Sequence, residues 1–162
     1  MSSYKIPFVS LSGNRYDIRI YPTAEGYTED GAVILRGGAE PIVTEEDKTT
    51  EIPIPARSSS GHINIVTSDI TLQEHLMPTT ADGMRVTLVR YPRSDEYEQA
   101  VTVAWEGYIC PESFTQDWTA GPWEIQIPIV SRLGMVLDDY LSDGNTGILT
   151  VGSWLARICG DV

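Results

Sequence analysis

With 162 residues, 41% of them hydrophobic and 21% charged, the chain has room for one globular domain and lacks the composition of a disordered one. It carries 11 Lys and Arg against 23 Asp and Glu, a net charge of −12, and its basic residues are scattered singly. That balance argues against a sequence-independent grip on DNA or RNA, which needs cations to displace phosphate counterions, and against attraction to an anionic membrane surface.

In chain order, the pattern is mostly of strands. The first residues, Met1 to Phe8, lack the basic start, apolar stretch and small-residue cleavage site of a signal peptide. No apolar run reaches the length of a membrane span, so the sequence predicts a soluble chain that stays where it is made. Tyr16, Ile18 and Ile20 alternate with Arg15, Asp17 and Arg19, the period of a half-buried strand. Asp30-Gly31 predicts a turn into a strand over Ala32 to Leu35, ended by Gly37-Gly38. From Pro41 the pattern is a short strand, an acidic turn at Glu45-Glu46-Asp47, and a strand interrupted by Pro53 and Pro55 that belongs at an edge. A loop at Ser58-Ser59-Ser60-Gly61 leads into a strand with Ile63 and Ile65 on one face.

Ser68-Asp69 reads as the N-cap of a short helix over Ile70 to Leu76, ended by Met77-Pro78. Met84, Val86 and Leu88 mark the next strand, and Val101, Val103 and Trp105 another that runs to Ile109. The polar stretch from Ser94 to Gln99 predicts that these two pair antiparallel. A loop carrying Trp118 and Trp123 precedes the clearest alternation, Ile125, Ile127 and Ile129. The period then becomes helical: Leu133, Val136, Leu137, Tyr140 and Leu141 share one face, and Val151, Trp154, Leu155 and Ile158 share another. The fold class expected is mainly β (α+β), an antiparallel small barrel or sandwich with one or two short helices concentrated at the C-terminus. Its division is a β-rich domain over 1–141 and a helical segment over 142–162. That last segment reads equally well as a short docked helix or as the start of a truncated second domain, since such a helix relies on tertiary packing either way.

No arrangement for chemistry stands out. The two cysteines, Cys110 and Cys159, read as reduced thiols, because two in a chain this long make no disulfide framework. His62 and His75 are the only histidines, and neither sits in a zinc-ligand spacing. A calcium loop begun at Asp139 fails at Leu141 and Thr150, where oxygen ligands are needed. Ser58, Ser59 and Ser60 precede His62, but the plainer reading is a loop entering a strand. Glu106, Glu112, Asp117 and Glu124 lie near Trp105, Trp118 and Trp123, a set from which a sugar site or a carboxylate pair is built. Aromatic rings in β domains are mostly packing, so this is the weaker reading. No catalytic, cofactor-binding or metal-binding residue is assigned.

One stretch, Val103-Ala104-Trp105-Glu106-Gly107-Tyr108-Ile109-Cys110-Pro111-Glu112-Ser113-Phe114, resembles a recurring pattern in phage and prophage tail proteins of gut Bacteroides-type bacteria. In that pattern a strand ends in a Trp-x-Gly-aromatic-apolar step before a proline and an acid. Trp123 to Leu137 is similar to the next element, a strand running into Asp-Gly-Leu-Gly-x-Leu and a helix, with Ser131-Arg132 standing where the pattern has Asp-Gly. Ile54 to Ile65 is similar to the pattern's Pro-Ile-x-x-Ser stretch. The resemblance covers about residues 4 to 158. It implies a virion structural protein, a baseplate hub or distal-tail component made in the bacterial cytoplasm and placed in a virion or prophage tail. Its partners would be itself, in a ring oligomer such as a trimer or hexamer, and other tail proteins, with no specific nucleic-acid or membrane binding. It implies no cofactor and no catalytic residues. An acidic surface on such a ring is expected to face the channel and repel passing DNA. The alternative is a carbohydrate-binding β-sandwich module using Trp118 or Trp123.

Overall fold

A computed structural model describes residues 2–46, 58–92, 100–110 and 121–132. They form a mainly β protein, an eight-stranded mixed sheet curled into a half-barrel, with one short helix among the described residues. The strands are β1 (Tyr4–Val9), β2 (Arg15–Pro22), β3 (Val33–Ile34), β4 (Arg36–Glu46), β5 (Ser59–Thr67), β6 (Met84–Tyr91), β7 (Thr102–Ile109) and β8 (Trp123–Ser131). The helix α1 (Leu72–Leu76) lies between β5 and β6. Across the sheet the order is β3-β1-β2-β6-β7-β8-β5-β4.

Period-two apolar residues build the core. Ile6, Ile18, Ile20, Ile63, Ile65, Val86, Ile109, Ile125, Ile127 and Ile129 form one cluster of almost fully buried side chains on the concave face. β-branched side chains fit a pleated surface, and burying each isoleucine contributes about 1.5–3 kcal/mol. Leu72 and Leu76 of α1 join this cluster and close one end of the half-barrel. The connections on either side of α1 and the starts of β1, β6 and β8 gather at this end, here called the helix end. The opposite end, called the hairpin end, holds the β1–β2 turn, the end of β6 and the start of β7.

Most expectations for the sheet hold. Ile125, Ile127 and Ile129 share the buried face, and β6 and β7 pair antiparallel as the loop between them predicted. Several details differ. Ser59 to Gly61, expected as loop, belong to β5, and Glu45 and Glu46, expected as a turn, end β4. Gly37-Gly38 does not end a strand but lies inside β4, where the register with β5 shifts between Gly37 and Ile42. The sheet is not wholly antiparallel, since β3 runs parallel to β1. The helix begins at Leu72 with Thr71 as N-cap, while Asp69 acts two residues earlier: its Oδ1 accepts from the Thr71 backbone N–H at 2.9 Å and from the Thr71 hydroxyl at 2.8 Å. And β2 is buried on both faces. Asp17 is only 4% exposed, because the 23–32 connection folds back over the convex side.

Glycine is required where strands approach closely. A Cβ at Gly107 would meet the Trp105 ring and the Val130 carbonyl, and a Cβ at Gly61 would meet the Val43 carbonyl. The strand with Pro53 and Pro55, the Trp118 loop, Cys159, the Asp139 region and both C-terminal helical patterns lie outside the described residues. So does the 142–162 segment. Among the described residues no helix is long and apolar enough to cross a membrane.

Candidate functional site

A β-bulge shapes an exposed apolar surface at the hairpin end. Leu88 stands opposite Trp105, yet the next residue, Val89, stands opposite Val103. Ala104 is therefore an extra residue in β7. An inserted residue reverses which face the following side chains take. Trp105 points inward, packs against the core, and donates its Nε1–H to Ser59 Oγ at 2.9 Å. Val103 turns to the convex face and is 59% exposed, with Val101 beside it at 53%. The sequence pattern had put all three on one face.

Register then places two rows across the convex face at the hairpin end. One runs Val9, Arg15, Tyr91, with Val101 following level with Tyr91. The other runs Pro7, Asp17, Val89, Val103. Val9 is 64% exposed, and Leu11 at the tip of the β1–β2 turn is fully exposed. That turn is built to hold its shape. The Ser10 N–H donates to Asn14 O at 2.9 Å, the Gly13 N–H to Ser10 O at 2.8 Å, and the Asn14 N–H to Ser10 Oγ at 3.2 Å. Gly13 takes a φ of 81°, which a side chain would strain. The only acid in the two rows is Asp17, and it is neutralised: Lys5 Nζ lies 3.0 Å away, and the Tyr91 hydroxyl donates to it at 2.6 Å. Arg15 covers the Tyr91 ring at 5.6 Å.

Toward the helix end the same convex face carries a charge network. Lys5 Nζ donates to Glu29 Oε1 at 2.7 Å, the Tyr27 hydroxyl donates to Glu29 Oε2 at 2.9 Å, and Arg19 Nη2 lies 3.7 Å from Glu29 Oε2. Arg19 also stacks on the Tyr27 ring at 4.4 Å and donates to the Tyr91 hydroxyl at 3.1 Å. Hydrogen bonds from Lys5 first, and then from Tyr27, hold the Glu29 carboxyl below its ordinary range. Burial, with the bond to Glu29 second, pushes the Tyr27 phenol up to about 12. Bonds to Glu29 and Asp17 push the Lys5 ammonium up. Each charge here has an opposite partner, the arrangement of a fastening.

The aromatic and carboxylate set is only partly brought together. Trp105 is turned inward, Trp123 is half-buried against the core, and Glu106 pairs with Arg85 on the convex face. Gly107 is opposite Ser131, so Glu106 is level with position 132, and 132 − 124 leaves Glu124 eight residues along β8. At about 3.3 Å per residue that is about 26 Å, beyond the 5–10 Å of a glycosidase pair. Glu112, Asp117 and Trp118 lie outside the described residues. His62 lies in β5 between Val43 and Pro128, and His75 is exposed on α1. Ser59 Oγ is taken by Trp105, and the Ser59 N–H donates to Ser131 Oγ at 2.9 Å. Among the described residues no three His, Cys, Asp or Glu side chains stand close enough to hold a metal ion. No family model, no curated protein and no solved structure matches the chain.

Proposed function

We propose that this chain is a structural subunit of a phage tail or tail-like particle, of the baseplate hub or distal-tail type, which works by joining copies of itself and docking neighbouring tail proteins. The observation that carries the self-joining part is the convex hairpin-end face. It displays Val9, Leu11, Val101 and Val103 to solvent, and its one acid among the described residues, Asp17, is neutralised. A chain of net charge −12 repels its own copies over most of its surface. Contact between copies is least costly where acids are paired and apolar side chains are already in water. A patch used head-to-tail would close a ring such as a trimer or hexamer.

Placement in a tail is supported by the resemblance of residues 103–114, 123–137 and 54–65 to tail proteins. Charge is distributed in keeping with it. The helix end exposes Glu25, Asp30, Asp69, Glu74 and Asp82, while its Lys5 and Arg19 are paired with Glu29, and residues 22–34 and 67–84 contain no Lys or Arg. We place that end toward the channel, where it would repel DNA in transit.

Immunogold labelling of tail-like particles induced from the source bacterium tests the assignment. The expected result is label at one fixed position on the tail. Particles without label and without peptides of this chain by mass spectrometry would overturn it.

A further inference from the structure

The two edges of the half-barrel are held by one continuous run of chain. β3 pairs with β1 and β4 pairs with β5, and Leu35 alone separates β3 from β4. The β1–β3 seam is short, two register pairs with Val33 N–H on Ser3 O and Leu35 N–H on Lys5 O, each at 2.8 Å. Val33 and Ile34 are exposed, so apolar burial at this seam is confined to Leu35 at its end, against the core, and to the Tyr27 ring edge-on to Tyr21 at 5.7 Å. The remaining hold is polar, and the same two residues, Ser3 just before β1 and Lys5 within it, supply both grips. Ser3 accepts the Val33 N–H on its carbonyl and the Thr28 N–H on its hydroxyl at 3.1 Å. Lys5 accepts the Leu35 N–H on its carbonyl and holds the Glu29 carboxylate with its ammonium.

We propose that residues 23–35 form a charge-fastened strap, a latch that opens as a unit while the rest of the sheet stays folded, with Glu29 as its catch. Elements with few buried apolar contacts occupy the low end of a protein's range of local stabilities. Releasing Glu29 from Lys5, Tyr27 and Arg19 frees the carbonyls of Ser3 and Lys5 and uncovers Asp17. β1 then becomes a free edge, no longer tied through β3 to β4 on the other side of the half-barrel. This holds whether or not the chain belongs to a tail, since it rests on the seam alone.

Hydrogen exchange at single-amide resolution on the full chain at neutral pH tests the latch, comparing the wild type with Glu29→Gln and Tyr27→Phe. Glu29→Gln removes the charge that Lys5 and Arg19 hold. Exchange at the Thr28, Val33 and Leu35 amides is expected to speed up about tenfold, the scale of a lost charge-assisted hydrogen bond. Tyr27→Phe deletes one neutral donor to the same carboxylate and is expected to act at the same amides by a smaller factor. Amides of Ile18, Ile20 and Val86 are expected to keep wild-type rates in both variants. Unchanged rates at Thr28, Val33 and Leu35 would overturn the proposal, and so would equal acceleration across β2 and β6.

Discussion

The two ends of this half-barrel solve the same problem in opposite ways. At the helix end a five-residue helix turns Leu72 and Leu76 onto the isoleucine cluster, and the acids around it stay in water. At the hairpin end a tightly hydrogen-bonded turn holds Leu11 out in solvent, and a bulge turns Val101 and Val103 away from the core. The helix end also leaves Ile34, Ile70 and Met77 in water, but exposed acids stand around them. The hairpin-end face instead gathers Val9, Leu11, Val101 and Val103 about an acid that is paired. Hydrophobicity in the sequence therefore serves stability at one end and, on the reading proposed above, association at the other.

Substitutions that separate these two uses should break or sharpen the contrast. The largest effect is expected at the helix end: Leu76→Ala empties a fully buried site and should cost about 2–5 kcal/mol in denaturant unfolding. Gly107→Ala drives a methyl into the Trp105 ring and the Val130 carbonyl. A loss of about 1–3 kcal/mol is expected from overpacking, measured the same way. An unchanged midpoint would show that the bulge does not fix Trp105 inward.

The strap brings a dependence on pH. The Glu29 carboxyl lies lower folded than unfolded, so its contribution is present above the unfolded value and is lost as pH falls through the folded one. The Tyr27 phenol lies higher folded, so its contribution is present below its ordinary value and is lost as pH rises through about 12. Thermal melts across pH should show both losses. Glu29→Gln should remove the acid loss that Glu29 contributes and shrink the alkaline one to the part that burial of Tyr27 supplies. The smallest effect on stability is expected at the hairpin end, where Leu11→Ser, on a fully exposed side chain, should change unfolding by less than about 0.5 kcal/mol.

How much of this was legible in the sequence varies with how local the cause is. Ile63, Ile65, Ile125, Ile127 and Ile129 announce their face because period two holds without interruption across paired strands. Asp17 has the parity of a solvent-facing residue. It is buried by a connection that returns over β2, a tertiary contact that no alternation within β2 encodes. Gly37-Gly38 looked like a stop because glycine weakens strands, whereas here it lies where β4 shifts register against β5. The exposed face was hidden for a similar reason. Val101, Val103 and Trp105 keep perfect spacing in the sequence, and only the pairing with Leu88 and Val89 reveals the extra residue that turns the first two outward. The fastening of Lys5 to Glu29 joins positions 24 apart in the chain, with no motif to announce it.

Sedimentation velocity over a wide concentration range puts the self-association claim to the most direct test, with the wild type beside the double variant Leu11→Ser, Val103→Ser. The wild type is expected to reach a single closed species such as a trimer or hexamer, and the variant to remain a folded monomer with an unshifted melt. A wild type that stays monomeric throughout, or a variant that assembles as the wild type does, would contradict the claim that copies join through this face.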